Sequence, residues 1–352
     1  MDAKKAMAAH SPGLCPRLVM RAVLLVLGGL LAALSCQAEQ PSRLQRIASY
    51  PGALSLPLQD KISFGDTALL DWQHKINLKY GMDVRPSRAA ADNPLVAYVR
   101  SMIAALPVEI QRLASKYMVA LYLLEHDWGT GTTEAIQDAQ GRWRYAYVAL
   151  NLTVLTRKAN AWGSWKEESA FRPESSHAIR MVLESAPDDT HEAAIRFIFL
   201  HELGHVLGLA LAAHGYWDAE QLPAATEHSP YLRISWQKSA EGKMVSRWPQ
   251  STFWFSKLAF YNSEASGLSL AQAEAAYRAL ARTDFPSLYG TTNPFDDFAE
   301  AFAIYVHTRM LGKPYRVDIL RDGKPRFTFR SCITTGACKA KVKALQKLLG
   351  FG

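Results

Sequence analysis

Two histidines and a glutamate in the stretch His201-Glu202-Leu203-Gly204-His205 have the types and the spacing of a metal site. Residues four apart project from one face of an α-helix, so His201 and His205 can present two imidazole nitrogens to one ion. Glu202 lies about 100° further round the helix, where it faces an open coordination position instead of acting as a ligand. The pattern predicts one catalytic zinc ion, Zn2+.

The chemistry that this arrangement predicts is hydrolysis of an amide bond. Zinc lowers the pKa of a coordinated water to about 7, and a carboxylate such as Glu202 can take the proton and later deliver it to a leaving amine. Gly204 favours the same interpretation, because a residue without a side chain lets another element approach the helix beside the metal. The alternative is that His201 and His205 are core histidines satisfied by hydrogen bonds.

A catalytic zinc ion needs a third protein ligand, and the best candidates lie in the acidic segment 293–303. His214 is an alternative, although the metzincin pattern places its third histidine six residues after the second, where this chain has Leu211. His307 follows Glu300 by two helical turns on one face. It is either a partner of a ligand or an ordinary core or surface histidine.

The segment Ser287-Leu288-Tyr289-Gly290-Thr291-Thr292-Asn293, followed by Asp296 to Phe302, resembles the C-terminal part of the anthrax lethal factor catalytic domain and related gluzincin-type peptidases. The resemblance covers residues 94–308 and is specific at the two motifs. It implies an α+β, zincin-like core, in which a mixed sheet packs on the helix of the histidines. A second helix would carry the acidic ligand, and the C-terminal part would be largely helical.

The resemblance also implies roles for three further residues. In the family pattern an acidic zinc ligand stands at the place of Asp296, beside His201 and His205. A second carboxylate, at Glu300, would accept the outward N–H of a ligating histidine, and Tyr289 would donate its hydroxyl to the developing oxyanion. The family usually has glutamate as the ligand, and aspartate is one methylene shorter. Either the second helix lies closer to the metal, or Glu300 takes over as the ligand.

Apolar spacing predicts the elements around these motifs. The predicted elements before the motif are helices at 95–105 and 108–115 and strands at 117–124 and 145–152. The strand at 145–152 is either an edge that pairs with an extended peptide or an internal strand. Asp188-Asp189-Thr190 supplies good N-caps for the metal-motif helix, which should run to Ala213. Asn293-Pro294 predicts the start of the second helix.

The first 38 residues are typical of a secretion signal, with four basic residues before an apolar run from Ala22 to Leu34. Cleavage would follow Ala38, or fall before Cys36, where Leu34-Ser35-Cys36 resembles a lipoprotein box and would be followed by lipidation of Cys36. The alternatives to lipidation are plain cleavage and an uncleaved segment that serves as an N-terminal anchor. The protein is therefore expected to be exported, either to the periplasm or cell envelope or into the medium. An N-terminal extension (39–93), a catalytic domain (94–312) with an insert (216–288), and a basic tail (313–352) would follow.

The net charge of +8 is unevenly distributed along the chain. The leader carries +3 and the tail +8, which leaves −3 for the remainder. The tail is either a solvated basic face or a contact with an anionic envelope surface, and no segment resembles a nucleic-acid module. It also holds Cys332 and Cys338. Export favours a disulfide between them, and two free thiols are the alternative.

The insert is rich in aromatic residues, which either line a substrate cleft or belong to the core. Its tryptophans are Trp217, Trp236, Trp248 and Trp254. The leading expectation is an exported zinc peptidase that acts on a protein or peptide. The alternatives are a hydrolase of peptidoglycan peptides and a non-catalytic envelope protein that binds a partner. Glu202 argues against the non-catalytic protein, because structural zinc closes all four positions and needs no base.

Overall fold

The computed structural model describes residues 41–154, 156–217, 229–248 and 255–351. The predicted leader, Cys36 and Trp254 lie outside these residues. The helices are α1 (Thr67–Lys79), α2 (Pro94–Ala104), α3 (Val108–Tyr117), α4 (Ala159–Glu168), α5 (His191–Ala210), α6 (Leu232–Ser235), α7 (Ala273–Leu280), α8 (Pro294–Tyr305), α9 (Cys332–Thr335) and α10 (Lys339–Leu349). The strands are β1 (Ile62–Ser63), β2 (Ser87–Arg88), β3 (Met118–Glu125), β4 (Gly131–Gln137), β5 (Trp143–Asn151), β6 (His177–Val182), β7 (Trp236–Lys238), β8 (Met244–Ser246), β9 (Arg316–Arg321) and β10 (Lys324–Arg330).

The main sheet is mixed and follows the order β1-β3-β5-β4, with β2 beside β3. Strands β1, β3 and β5 are parallel, whereas β4 is antiparallel to β5. Residues Met118–Leu124 of β3 are all buried, which is typical of a strand covered on both faces. The mixed sheet and its helices confirm the α+β class.

The strand predicted at 145–152 is internal, because β5 lies between β3 and β4. The edge interpretation of this strand is therefore wrong, and the edge is β4, which the sequence did not predict. The β4 sequence begins Gly131-Thr132-Thr133-Glu134. A polar start next to a glycine-rich turn resembles a loop more than a strand.

Helix α5, which carries the metal motif, is the central core helix. The Thr190 side chain caps it by accepting a hydrogen bond from the Ala193 N–H, as predicted. The helix ends at Ala210, just before Ala212 adopts a left-handed φ of 53°. Helix α5 is long and apolar enough to cross a membrane, but 78% of its most apolar window is buried in the protein. It packs against β4 and β5 and places the motif beneath the sheet edge.

The opposite face of the main sheet is covered by the segment before residue 94. Leu69 of α1 packs in one cluster with Val119, Tyr122 and Tyr147 of the sheet. Gln45 donates a hydrogen bond of 2.7 Å to Glu134 of β4, and Arg46 forms a parallel bridge with Gln137 at the far end of that strand. The sheet is thus held between α5 and the N-terminal residues.

Helix α8 begins where the sequence predicted. Asn293 accepts hydrogen bonds from the backbone N–H groups of Phe295 and Asp296, and Pro294 occupies the first turn. The helix crosses α5 at Gly204, where a Cβ atom would lie only 2.6 Å from the Ala299 Cα atom. Only glycine permits so close a contact between the two backbones.

The tail is attached to the body through a second sheet of order β10-β9-β6, in which β9 pairs with β6. Strands β9 and β10 form a hairpin around Asp322-Gly323, and both residues have the positive φ that such a tight turn requires. Cys332 and Cys338 lie at disulfide distance, in agreement with the predicted pairing. The chain ends in the basic helix α10.

One lysine of the basic tail is buried in the core. Lys341 of α10 and Asp297 of α8 are both 0% exposed, and the lysine Nζ lies 2.8 and 2.9 Å from the two carboxylate oxygens. Trp236 Nε1 donates to the same carboxylate at 2.9 Å. The tail therefore stabilises the first turn of the helix that carries Asp296.

Candidate metal centre

His201, His205 and Asp296 converge at one point between α5 and α8 and could hold a metal ion. The Nε2 atoms of the two histidines are 3.1 Å apart. Asp296 Oδ1 lies 3.5 Å from His201 Nε2 and 3.4 Å from His205 Nε2. The helix spacing of four residues and the crossing of α8 thus bring three ligand atoms together.

The distances between these atoms fit a tetrahedral metal centre. Ligand atoms at about 2.0–2.1 Å from a tetrahedral zinc ion are about 3.3 Å from one another. The three observed separations lie between 3.1 and 3.5 Å. Two imidazoles and one carboxylate are also a donor set that zinc accepts, although other divalent metals accept it too.

The Asp296 carboxylate is held so that one oxygen faces the histidines. Its other oxygen, Oδ2, accepts hydrogen bonds from Asn293 Nδ2 at 2.5 Å and from Thr292 Oγ1 at 3.2 Å. Asn293 therefore both caps α8 and orients Asp296, and the side chain of Asp296 is only 6% exposed. These contacts leave Oδ1 to face the metal position.

Glu300 lies one turn further along α8 and contacts the far side of a histidine ring. Its Oε1 accepts from His201 Nδ1 at 3.1 Å, which leaves His201 Nε2 directed at His205 and Asp296. Glu300 is not among the converging ligand atoms. A carboxylate in this position fixes the tautomer and the orientation of the imidazole.

The electrostatics of the site favour positive charge. Burial alone would lower the pKa of His201, but its hydrogen bonds to Asp296 and Glu300 outweigh burial and raise that pKa to about 10. Burial would raise the pKa of Glu300, but Lys166 and His201 outweigh it and lower that pKa to about 2. The pKa of Asp296 is likewise held well below its usual value, because both histidines offset the effect of burial. The negative charge of Asp296 and Glu300 can be balanced either by a proton on His201 or by a divalent metal ion.

Glu202 faces the start of the edge strand β4. Thr133 Oγ1 donates a hydrogen bond of 2.7 Å to Glu202 Oε2. Gly131 lies so close that a Cβ atom there would be 2.8 Å from Glu202 Cγ. The Glu202 carboxylate is thus oriented by β4 and lies outside the group of ligand atoms.

Tyr289 lies beside the first histidine. The centroids of the Tyr289 and His201 rings are 5.7 Å apart, and Phe260 packs edge-on against Tyr289 at 4.8 Å. Burial and the nearby Asp296 carboxylate raise the pKa of Tyr289 well above its ordinary value. Its hydroxyl therefore stays protonated and can donate a hydrogen bond.

Two cavities, of about 480 and 360 Å³, meet at these residues, and both are lined by His201, Glu202, Tyr289 and Asp296. Aromatic rings line part of the wall of the larger cavity, among them Trp128, Trp162, Phe197, Trp236, Trp248 and Phe260. The smaller cavity is lined by His205, by Trp217 and by residues of α1. Of the insert tryptophans, the three that the structure describes line these cavities.

The two remaining candidate histidines are core residues. His214 is 1% exposed, its Nδ1 donates to the Gly215 carbonyl at 2.9 Å, and its ring packs against Phe298. His307 is fully buried and its Nε2 lies 2.9 Å from the Leu183 carbonyl oxygen. Neither belongs to the converging ligand group.

Gly204→Ala is expected to disturb the metal centre by forcing apart the two helices that carry its ligands. Alanine in a helix normally favours stability by about 1 kcal/mol over glycine. Here its Cβ would lie 2.6 Å from the Ala299 backbone, so α5 and α8 must separate, at a cost of about 1–3 kcal/mol. Thermal unfolding and metal titration should show lower stability and weaker metal binding.

Gly163→Ala in α4 is the matched control for this substitution. A Cβ atom at Gly163 would also meet close neighbours, but the closest are in the Met181 side chain, with Cγ at 2.7 Å and Cβ at 3.1 Å, and not in the backbone of α8. We expect it to leave metal affinity unchanged. A more stable Gly204→Ala protein with unaltered metal affinity would contradict the proposed contact between the helices.

Several residues that shape the site were not singled out from the sequence: Gly131, Thr133, Lys166 and Asn293 as an orienting residue. The β-branched residues Thr132, Thr133 and Ile136 are the feature of the sequence that favours a strand at β4. Lys166 gave no signal, because a single lysine in an amphipathic segment is usually exposed.

No protein-family model, curated protein or solved structure matches this chain. Two imidazoles and a carboxylate converge at distances that suit a tetrahedral metal ion. Glu202 lies beside this group without belonging to it, and the group and Glu202 both line cavities large enough for a ligand.

Proposed function

We propose that this chain is an exported zinc metallopeptidase with a zincin-like, gluzincin-type core. His201, His205 and Asp296 hold the zinc ion, Glu202 is the general base and Tyr289 stabilises the oxyanion. The observation that carries the proposal is the convergence of His201 Nε2, His205 Nε2 and Asp296 Oδ1 at 3.1–3.5 Å.

The roles of the protein side chains follow from their contacts. When bound, zinc supplies a Lewis acid that makes a water nucleophilic near neutral pH. Glu202, oriented by the Thr133 hydroxyl at 2.7 Å, takes the proton of the attacking water and delivers it to the leaving amine. Tyr289 donates its hydroxyl to the oxygen on which negative charge develops. Glu300 keeps the His201 ring in its ligating orientation.

The edge strand supports a peptide as the substrate. The start of β4, at Gly131–Thr133, lies beside Glu202, whereas the far end of the strand is bridged by Arg46. An extended peptide can add to such an edge through backbone hydrogen bonds, and the adjoining cavities can take its side chains. The aromatic wall of the larger cavity favours bulky apolar side chains.

Export is supported by two separate features. The first 38 residues are typical of a secretion signal, and Cys332 and Cys338 lie at disulfide distance. Disulfides persist in oxidising compartments such as the periplasm and the cell exterior. A periplasmic or envelope location would place the protein among protein and peptidoglycan substrates.

The proposal is tested by digestion of an unbiased peptide library with the purified, zinc-loaded protein. We expect cleavage of internal peptide bonds, loss of cleavage after a chelator is added, and recovery when zinc is restored. Peptidoglycan stem peptides form a second panel, and cleavage restricted to them would narrow the substrate class. A zinc-loaded protein that cleaves neither panel would contradict the peptidase function and favour a binding protein.

A further inference from the structure

Lys166 of α4 places a buried positive charge next to the candidate metal centre. The residue is 4% exposed, and its Nζ lies 3.1 Å from Glu300 Oε1 and 3.6 Å from Glu167 Oε1. Removing an ammonium group from water costs several kcal/mol unless partners compensate for it. The contacts of Lys166 must therefore compensate for the cost of burying its ammonium group.

The first compensating contact of Lys166 is with Glu300, which also contacts His201. Glu300 Oε1 accepts from Lys166 Nζ at 3.1 Å and from His201 Nδ1 at 3.1 Å. The lysine and the imidazole thus hold one carboxylate between them. Without Lys166, Glu300 would lose the charge that keeps this oxygen in place, and the His201 ring would lose a fixed partner.

The second compensating contact of Lys166 is with the ring of Tyr289. Lys166 Nζ is 4.6 Å from the centroid of the Tyr289 ring, within the range of a cation–π contact. Phe260 packs against the same ring at 4.8 Å. Tyr289 is therefore held between a cation and an aromatic edge, with its ring beside His201.

We propose that Lys166 is a positioning residue that couples the two halves of the site: it holds Glu300 against His201 and holds the Tyr289 ring beside the metal position. The inference rests on the proposed function for the roles of His201 and Tyr289. It adds a residue through which metal binding and oxyanion stabilisation depend on one another.

A purely structural role is the competing explanation, and a neighbouring residue separates the two. Glu167 is 2% exposed, and its Oε2 accepts a hydrogen bond of 2.5 Å from the Tyr277 hydroxyl. It belongs to the same buried cluster as Lys166 but makes no hydrogen bond to His201 or Tyr289 among the described residues. Glu167→Gln therefore removes one counter-charge of Lys166, at 3.6 Å, but leaves the contacts of Lys166 with Glu300 and Tyr289 in place.

The test compares Lys166→Met with Glu167→Gln in the full chain. Lys166→Met should weaken zinc binding by about 10- to 100-fold, as loss of a residue behind a metal ligand usually does. It should also lower kcat by a similar factor with little change in KM, since Tyr289 acts on the transition state. Zinc affinity is measured by chelator competition, with thermal unfolding as the check on folding. Glu167→Gln should change the unfolding temperature but keep zinc affinity.

A double-mutant cycle shows whether Lys166 acts through Glu300. In a Glu300→Gln background, Lys166→Met should weaken zinc binding by much less than in the wild-type protein, because the carboxylate it holds is gone. Additive losses would overturn the inference. If Lys166→Met does not fold, Lys166→Gln takes its place in the cycle, because its polar side chain is better tolerated beside two carboxylates and still lacks the charge that holds Glu300.

Failure of this inference is distinguishable from failure of the proposed function. Zinc affinity is measured without substrate, so the coupling can be tested even if the wild-type protein cleaves nothing. If the wild-type protein binds zinc and cleaves peptides while Lys166→Met keeps its zinc affinity and kcat, the proposed function stands and the coupling role of Lys166 is wrong.

Discussion

Glu202→Gln is expected to keep its bound zinc and to lose peptide hydrolysis by about 100- to 10,000-fold, the range attributed to general acid–base catalysis. Glutamine has the shape of glutamate, and its amide oxygen can still accept the hydrogen bond from Thr133 Oγ1. It cannot take a proton from water. Metal content by elemental analysis and kcat on a peptide found in the library digest measure the two effects separately.

Glu192→Gln is the matched control, because it makes the same chemical change in the first turn of the same helix. Glu192 lines neither of the two cavities that meet at the metal centre. We expect it to leave zinc content and kcat unchanged. Hydrolysis by Glu202→Gln within a few-fold of wild type would remove Glu202 as the base. Loss of zinc from Glu202→Gln would show that this side chain supports the metal itself.

The local parts of the site could be predicted from the sequence because helix geometry is local. His201 and His205 converge because residues four apart share a face, and five consecutive residues were enough to infer it. The start of α8 was predicted in the same way, since an Asn-Pro pair supplies an N-cap and a first-turn proline. These features depend on neighbours within one or two helical turns.

The parts that were missed depend on residues far apart in the chain. Thr133 and Glu202 are 69 residues apart, and Lys166 and Glu300 are 134 residues apart. The periodicity of apolar residues does not predict such pairs, because they form only when the sheet edge and α4 pack around α5. The internal position of β5 was open for the same reason: strand order is a property of the assembled sheet and not of the strand's own sequence.

The aspartate at position 296, where the resemblance implies glutamate, has a structural explanation. Aspartate is one methylene shorter, so its helix must lie closer to the histidines. Gly204 permits this, because it allows the Ala299 backbone into the space that a Cβ atom would fill. Asp296 Oδ1 then comes within 3.4–3.5 Å of both Nε2 atoms. The glycine and the short ligand therefore fit one another, and this pairing supports Asp296 over Glu300 as the third ligand.

Asp296→Ala and Glu300→Ala are expected to weaken zinc binding to different extents. Asp296→Ala removes one of the three converging atoms, so zinc affinity should fall by more than about 100-fold. Glu300→Ala leaves all three atoms in place but removes the partner of His201 Nδ1 and a counter-ion of Lys166, so the fall should stay within about 10- to 100-fold. Chelator competition on the purified variants measures both. If only Glu300→Ala releases zinc, Glu300 is the ligand and the assignment is reversed.

Asp297→Asn separates a lost ligand from a weakened fold, because Asp297 is adjacent to Asp296 and also buried but faces Lys341. Removing its charge leaves the Lys341 ammonium group buried without a counter-ion, and breaking a buried pair costs about 3–5 kcal/mol. Asp297→Asn should therefore unfold at a lower temperature than the wild-type protein in metal-free buffer, as Glu300→Ala also should because it breaks the buried pair with Lys166. Of the three variants, only Asp297→Asn should keep a zinc affinity close to that of the wild-type protein. If zinc affinity instead follows stability across the three variants, the losses at Asp296 and Glu300 reflect the fold and not the metal ligands.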